Sequence, residues 1–299
     1  MAQVDPRNQT IQVMINGELF ARDAARVSVF DSVVQGGDAG WEGLRVYDGR
    51  IAALDAHLRR LQDSAHALAF TDVPDNDEVR RQIIATLAAN GMRDDAHIRL
   101  TLTRGEKITS GMNPRFNQSG PTLIVLAEWK KPVYNDVGIR LITASVRRNT
   151  PLCLDSKIHH NNLLNNILAS IEANVADVDS AVMLDIDGFI AETNATNLFI
   201  VRDGHLLTPH GHACLPGITR GMVLEIAREH GITATERNLS LTELYTADEA
   251  FTTGTMGELT PVLQVDGRVV GNGERGPVTA QLQQWHREHA FKTGVRIDR

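Results

Sequence analysis

Asn16-Gly17, Asp48-Gly49, Asp187-Gly188, Asp203-Gly204 and Asp266-Gly267 are spread along the chain, each flanked by short apolar runs. Such pairs tolerate the positive φ angles that two-residue hairpin turns require, so each folds its flanking runs back as antiparallel strands. Thr10 to Phe20 reads as one hairpin, and Trp41 to Tyr47 with Arg50 to Leu54 as a second. Strands are also expected over Ala96 to Thr103, Pro121 to Ala127 and Gly138 to Val146, then a meander from Ala181 to Leu207. Helical periodicity is confined to Leu54–Leu68, Asp77–Asn90 closed by Gly91, Ile167–Ala176, Thr219–His230 and Pro277–Phe291. Many hairpins with few strand–helix–strand alternations predict an α+β architecture rather than a doubly wound parallel sheet.

With 299 residues, 42% of them hydrophobic, the chain can bury one large core or two moderate ones. The pattern predicts a small α+β domain over 1–128, a linker over 129–136 and a large α+β domain over 137–299, meeting at a cleft. The Gly/Asn/Pro/Ser-rich stretch from Arg104 to Gly120 is too long to be a simple connector, which points to a functional loop. A net charge of −7 argues against a general binder of nucleic acid or membrane surfaces. Two cysteines, Cys153 and Cys214, lack metal spacing and fit a reducing cytosol. Without a run of about 18 apolar residues, the expectation is a soluble, cytoplasmic protein.

Lysines are scarce: besides Lys157 there are only Lys107, Lys130, Lys131 and Lys292. Lys157 precedes a polar run, His159-His160-Asn161-Asn162, that leads into a helix. An amine can lose its proton and attack a carbonyl, which a guanidinium cannot do; the alternative is an ordinary exposed lysine. Leu215-Pro216-Gly217-Ile218-Thr219-Arg220 runs from a loop into a helix. There Gly217 permits close backbone approach, the helix start offers free N–H groups, and Thr219 adds a hydroxyl: a phosphate site, or a helix start capped by Thr219. Gly254-Thr255-Met256-Gly257 resembles a second such loop, or a plain turn. Glu192 is a carboxylate in a polar loop between apolar strands, either solvated or held against a cationic nitrogen. His159-His160 and His210-Gly211-His212 lack a helical ligand set, so no metal is expected, and neither a P-loop nor a G-x-S-x-G elbow is present.

Lys157, Glu192, Leu215 to Arg220 and Gly254-Thr255, in this order, resemble the class IV (fold type IV) pyridoxal-phosphate aminotransferases, which include branched-chain and D-amino acid aminotransferases. Trp41-Glu42-Gly43-Leu44-Arg45 resembles the early strand of that family, and His57-Leu58-Arg59-Arg60-Leu61 its arginine-bearing helix. The resemblance covers nearly the whole chain. It implies a two-domain, D-amino acid aminotransferase-like fold with pyridoxal 5'-phosphate (PLP) in the interdomain cleft. Lys157 would form the bond to the cofactor aldehyde and shuttle the α-proton, and Glu192 would pair with the protonated ring nitrogen. Arg60, which directly precedes the leucine as the family's arginine does, would hold the phosphate with Gly217, Ile218, Thr219 and Thr255. Asn197 matches a loop asparagine near the cofactor, and Trp41, His97, Arg99 and Met256 would line the substrate site.

Substrate is where the pattern departs. Tyrosines of the branched-chain enzymes fall on or near Gly36, on His97, and on Asn161 or Asn162, while Arg99 matches an arginine suited to a substrate carboxylate. Gly37 to Glu42 reads more like the D-amino acid enzymes, and Lys107 or Arg115 would have to supply their basic pair. The resemblance implies transamination of branched-chain L-amino acids with 2-oxoglutarate, with D-amino acid or (R)-amine transamination, an aminodeoxychorismate-type lyase, or a PLP-free binding protein as alternatives. It further implies small-molecule partners, an amino donor and a keto acid, and a homodimer or larger homo-oligomer, with no nucleic acid or membrane.

Overall fold

The computed structural model describes residues 5–131 and 137–297. The chain divides into two compact units. One holds the residues up to Lys131, Ile158–Asn162 and the stretch from Ala290; the other holds the residues that follow up to Lys157, and Leu163–His289. The chain therefore passes from the second unit to the first between Lys157 and Ile158, and back between Asn162 and Leu163.

In the first unit, strands β1 (Gln12–Ile15), β2 (Glu18–Ala21), β3 (Ala39–Tyr47), β4 (Arg50–Ile51), β5 (Ala96–Thr103) and β6 (Thr122–Trp129) join the chain's last strand, Val295–Arg296. The order is last strand–β4–β3–β5–β6–β1–β2, antiparallel throughout. The first turn forms as the sequence predicts, with Asn16 at φ 48° and Gly17 at φ 85°. Helix α1 (Ser32–Gly36) is a single short turn capped by the Asp31 side chain. Helices α2 (Leu54–Ala67) and α3 (Asn76–Ala89) bury Leu54, Leu58, Leu61, Ile83 and Leu87 with Leu44 and Val46 of β3 and Ile98 and Leu100 of β5. Each such side chain contributes roughly 1.5–3 kcal/mol of transfer free energy. Alternation then sends Trp41, Arg45, His97 and Arg99 to the opposite face of the sheet. β6 runs through Trp129, and residues 132–136 of the expected linker lie outside the described residues.

The loop 104–120 is held by internal contacts and by bonds to the segment before β3, where Lys107 N donates to the Phe30 carbonyl and Arg104 Nε to Asp38 Oδ2. Lys107 bridges to Asn117, its Nζ donates to the Gly111 carbonyl (2.7 Å), and Asn117 Nδ2 donates to the Gly105 carbonyl (2.7 Å).

The second unit contains a mixed sheet of β7 (Ile139–Thr143), β8 (Ser180–Leu184), β9 (Ile190–Thr193), β10 (Asn197–Arg202), β11 (His205–Thr208), β12 (Ala234–Glu236), β13 (Glu249–Gly254), β14 (Glu258–Val265) and β15 (Arg268–Val269). Its order is β12–β11–β10–β13–β14–β7–β8–β9, with β15 on β14. The meander expected over 181–207 is thus two hairpins, separated in the sheet by β13, β14 and β7. A tight turn links the two hairpins: Thr193 Oγ1 accepts from Thr196 N (2.9 Å), and Asn194 Oδ1 accepts from Ala181 N (2.9 Å). Helices α4 (Leu164–Val175), α5 (Ile218–Glu229), α6 (Leu241–Tyr245) and α7 (Pro277–Thr293) complete the elements. α4 starts three residues earlier than the apolar periodicity predicts. Asn165 Nδ2 donates to the Arg147 carbonyl and Asn166 Nδ2 to the Asn194 carbonyl, so neither amide competes with its own helix backbone. Among the described residues no helix is long and apolar enough to cross a membrane.

Candidate active site

In the second unit the chemistry gathers around Glu192. β9 carries it inward, where it is 5% exposed. Its Oε1 accepts from Arg148 Nε at 2.6 Å; its Oε2 accepts from Asn197 Nδ2 at 3.1 Å and from the Leu215 N–H at 3.3 Å. Asn197 opens β10 and also donates to the Leu215 carbonyl (3.0 Å), tying the loop before α5 to the carboxylate. α5 then starts at Gly217, which supplies no side-chain cap. A β-carbon at Gly217 would lie 1.9 Å from Asn197 Oδ1, so only glycine lets the helix start come this close. The result is a set of helix N-terminal N–H groups beside a buried carboxylate, with Thr219 5% exposed in the first turn.

Gly254, at the end of β13, lies against Thr196; Thr255 and Met256 follow it, half-buried. Thr253 stands opposite Asn197 in the antiparallel ladder, hence on the same sheet face, and its buried hydroxyl has no hydrogen-bond partner among the described residues. Burial, reinforced by the Glu192 charge, pushes the Cys214 thiol up to about 12. Cys214 is therefore a protonated packing residue near neutral pH rather than a nucleophile.

Lys157 lies on the loop before α4 with its side chain 46% exposed, and Nζ donates to Asp155 Oδ1 at 2.9 Å. It borders a cleft of about 310 Å³ lined with Thr150, Leu152, Asp185, Asp187 and His212, among others. Beneath it, Ser156 Oγ donates to the Asn149 carbonyl (2.9 Å), and Asn149 N donates to Asn165 Oδ1 (3.3 Å), the same oxygen that accepts from Arg148 Nη1 (3.1 Å).

The first unit holds a second cluster. Glu42 faces α2 from β3, its side chain fully buried. Arg60 donates to it twice, Nε to Oε1 at 2.8 Å and Nη2 to Oε2 at 2.6 Å; His57 Nδ1 lies 2.7 Å from Oε2 and His159 Nδ1 3.2 Å from Oε1. Burial alone would raise the Glu42 carboxyl, but the hydrogen bonds from Arg60 and the two histidines hold it well below the usual range. Burial lowers His159 to about 4 against the pull of Glu42, so near neutral pH Arg60 is the cation that balances this carboxylate.

Trp41 packs its ring 4.1 Å from that of His159 and donates Nε1 to the His160 carbonyl (3.1 Å). The Arg99 guanidinium lies 3.4 Å over the Trp41 ring and donates to Asn161 Oδ1 at 2.6 Å. Burial lowers Arg99 to about 10, which leaves it cationic, and lowers His97 to about 3 with help from the charges of Lys130, Arg45 and Arg99. These two residues, expected at the substrate site, thus present one fixed cation and one neutral imidazole.

Sequence reasoning missed the roles of Glu42, His57, Arg148 and Asn165. Glu42 was legible as a charge at the alternating positions of β3 that Leu44 and Val46 give to the core. Arg148 stood in an ordinary basic pair and carried no such signal. Among the described residues no group of three or more His, Cys, Asp or Glu side chains is placed to hold a metal. His210 and His212 instead stack their rings 5.3 Å apart.

The buried neutral histidines fix a pH dependence. His97, His159 and His286 are held by burial at about 3, about 4 and about 4, below the ordinary 6.5. Below pH 6.5 the unfolded chain takes up protons that the folded chain refuses, so stability is full above that pH. It falls by about 1.4 kcal/mol per pH unit for each histidine as pH drops toward 4. Melting temperature measured from pH 8 to 4.5 is expected to stay level to about 6.5 and then decline.

The second of the two α+β units joins a buried carboxylate to an uncapped helix start, with a lysine on the loop before α4. Residues 41–265 match the family amino-transferase class IV, and the chain belongs to that family. It is 58% identical over 293 residues to the branched-chain-amino-acid aminotransferase-like protein 2 of Arabidopsis thaliana, covering 98% of this chain and 52% of that one. The chain thus spans about half the length of that relative. It is 40% identical over 289 residues to the putative branched-chain-amino-acid aminotransferase of Methanocaldococcus jannaschii, covering 96% and 99%. Among solved structures, the branched-chain amino acid aminotransferase of Thermobaculum terrenum in its PLP form superposes with a TM-score of 0.85, at 28% identity over 95% of this chain and 95% of that one. The fold is that of the fold type IV enzymes.

Proposed function

We propose that the chain is a PLP-dependent transaminase that moves an amino group from a branched-chain L-amino acid to a 2-oxo acid such as 2-oxoglutarate. The observation that carries this reading is the buried Glu192–Asn197 pair against the uncapped start of α5 at Gly217. The names of the Arabidopsis and Methanocaldococcus relatives, and the PLP form of the Thermobaculum terrenum enzyme, support it.

The residues fit the cofactor. A phosphate asks for N–H donors and hydroxyls, which the α5 start, Thr219 and Thr255 supply within the second unit. A pyridinium asks for a buried carboxylate, which is Glu192, and an aldehyde asks for an amine, which is Lys157. The buried, unpartnered Thr253 hydroxyl on the Asn197 face supplies a further polar group. When bound, PLP supplies the aldehyde that captures the amine and a ring that accepts the electrons of the cleaved α C–H bond. Glu192 keeps a proton on the ring nitrogen, and Asn197 and Arg148 hold that carboxylate in place. Lys157 Nζ, once deprotonated, takes the α-proton and returns it as general base and then acid. Arg99 would orient a substrate carboxylate with Trp41 and His97 on the same face of the first unit's sheet, and Met256 follows Thr255 in the second unit.

The order is ping-pong: the donor's keto acid leaves before the acceptor enters. Small-molecule partners and a homo-oligomer follow from this reading. α4 leaves Leu164, Leu168, Ile171 and Val175 exposed along one side, a stripe that a second copy would cover. The free thiols Cys153 and Cys214 fit a cytoplasmic setting.

The test is a set of half-reactions on protein loaded with PLP. L-leucine is expected to bleach the visible band of the bound cofactor, whereas D-alanine and (R)-1-phenylethylamine leave it at least about tenfold slower to change, the discrimination of roughly 1.4 kcal/mol that one misplaced contact produces. Bleaching by D-alanine alone would overturn the substrate assignment, and a chain that takes up no PLP would overturn the enzyme assignment.

A further inference from the structure

Arg148 and Asn165 belong to none of the roles given above except through their neighbours, yet they join the two groups on which those roles depend. Arg148 is 6% exposed, and its backbone N–H is fixed on the Leu184 carbonyl at 2.8 Å. Its guanidinium reaches in two directions. Nε binds Glu192 Oε1 at 2.6 Å, and Nη1 binds Asn165 Oδ1 at 3.1 Å. Asn165 is anchored in turn by Nδ2 on the Arg147 carbonyl (2.8 Å), and its Oδ1 also receives the Asn149 N–H (3.3 Å). From Asn149 the path continues through its carbonyl to Ser156 Oγ (2.9 Å), the residue before Lys157. Ser156 is 1% exposed, so the loop is pinned immediately beside an otherwise exposed lysine.

We propose that Arg148 and Asn165 form a positioning hub that sets the orientation and charge balance of Glu192 and, through Asn149 and Ser156, the placement of Lys157. The inference rests on the PLP reading of Glu192 and Lys157. Two physical features carry it. First, a buried carboxylate whose Oε1 is taken by a guanidinium and whose Oε2 is taken by an amide and a backbone N–H cannot rotate, so its face toward a bound ring is fixed. Second, Arg148 offsets the charge of Glu192. Removing that cation leaves more negative potential at the site, which favours the protonated form of any cationic nitrogen held there. A lysine at position 148 keeps the charge but, with a single point of attachment, cannot span Glu192 and Asn165 together.

The experiment uses the full chain, titrated with PLP by absorbance, in wild type, Arg148→Lys, Arg148→Met and Asn165→Ala, with melting temperature measured for each apo protein. In Arg148→Lys the dissociation constant for PLP is expected to rise about tenfold or more, the worth of one charge-assisted hydrogen bond, with the pH midpoint of the bound cofactor's visible band unchanged. In Arg148→Met the midpoint moves to higher pH as well. In Asn165→Ala the Glu192 pair survives, so the midpoint holds, while borohydride trapping of the cofactor on Lys157 slows by about an order of magnitude, the effect of roughly 1.4 kcal/mol in positioning. Should Arg148→Met fail to fold, the lysine and Asn165 variants decide the matter, because neither leaves Glu192 without a cation. Variants that fold and bind PLP as tightly as wild type, with the same trapping rate and the same midpoint, would overturn the hub while leaving the PLP reading intact. A wild type that binds no PLP overturns the reading beneath it instead.

Discussion

Lys157→Ala is expected to abolish transamination while leaving the fold intact. The lysine side chain is half exposed and makes one ion pair, with Asp155, of the kind that contributes about 0–1 kcal/mol. Its loss therefore costs little stability. The activity is another matter. Without Nζ no group in the described loop can both attack an aldehyde and carry the α-proton; Asp155, its neighbour, is a carboxylate and forms no imine. Proton transfer alone is worth on the order of 10²–10⁴ in rate, and loss of the covalent link adds to that. Steady-state transamination of L-leucine with 2-oxoglutarate, alongside a thermal melt, checks both halves. A Lys157→Ala protein that melts with wild type and keeps more than about a tenth of its rate would refute the assignment.

The second large effect falls on stability. Arg60→Met removes both charge-assisted hydrogen bonds from a carboxylate that is wholly buried. In the wild type burial, with the Arg60 charge adding to it, holds His159 at about 4, so near neutral pH the substitution takes away the cation on which Glu42 relies. Breaking a buried pair from one side costs about 3–5 kcal/mol, so a fall in melting temperature on the order of 10 °C is expected. Arg60→Met combined with Glu42→Gln should recover most of it, since the stranded charge is then gone. The wild-type contribution of Glu42 is present above the ordinary carboxylate range and lost as pH falls through its depressed value, so acid should narrow the gap between wild type and Arg60→Met. A single variant that melts together with wild type would show that Glu42 finds its counter-charge elsewhere.

What the sequence made legible was the local chemistry. Asn16-Gly17 could only be a tight hairpin turn, and the leucine spacing of α2 could only be a helix with one buried face. Lys157, Glu192 and Gly217 each allowed a plain reading alone, as an exposed lysine, a solvated acid and a helix start, and only their order along the chain joined them into one proposed site. Long-range pairings were not legible. His159 to Asn161, met first as a metal candidate and then as a departure from a pattern, lie along the edge of β3, with the Trp41 N–H on the His159 carbonyl and the Asn161 N–H on the Ala39 carbonyl. Nothing within that run of polar residues encodes a strand so much earlier in the chain. The same holds for Arg148: it shares its basic dipeptide with Arg147, which donates to the carbonyls of Ala144 and Ser145 close by, while Arg148 turns inward to a carboxylate 44 residues on. The divided meander has the same origin, because the strands that separate its hairpins come from both earlier and later in the chain.

Everything assigned to the second unit turns on Lys157 being the residue that takes PLP covalently. Incubating the full chain with PLP, reducing with borohydride and mapping the labelled peptide settles whether it does. One stoichiometric phosphopyridoxyl group is expected, on the peptide that contains Lys157, and none in Lys157→Ala. A label on Lys107, Lys130, Lys131 or Lys292 instead, or no label at all, would show that the lysine has been misassigned.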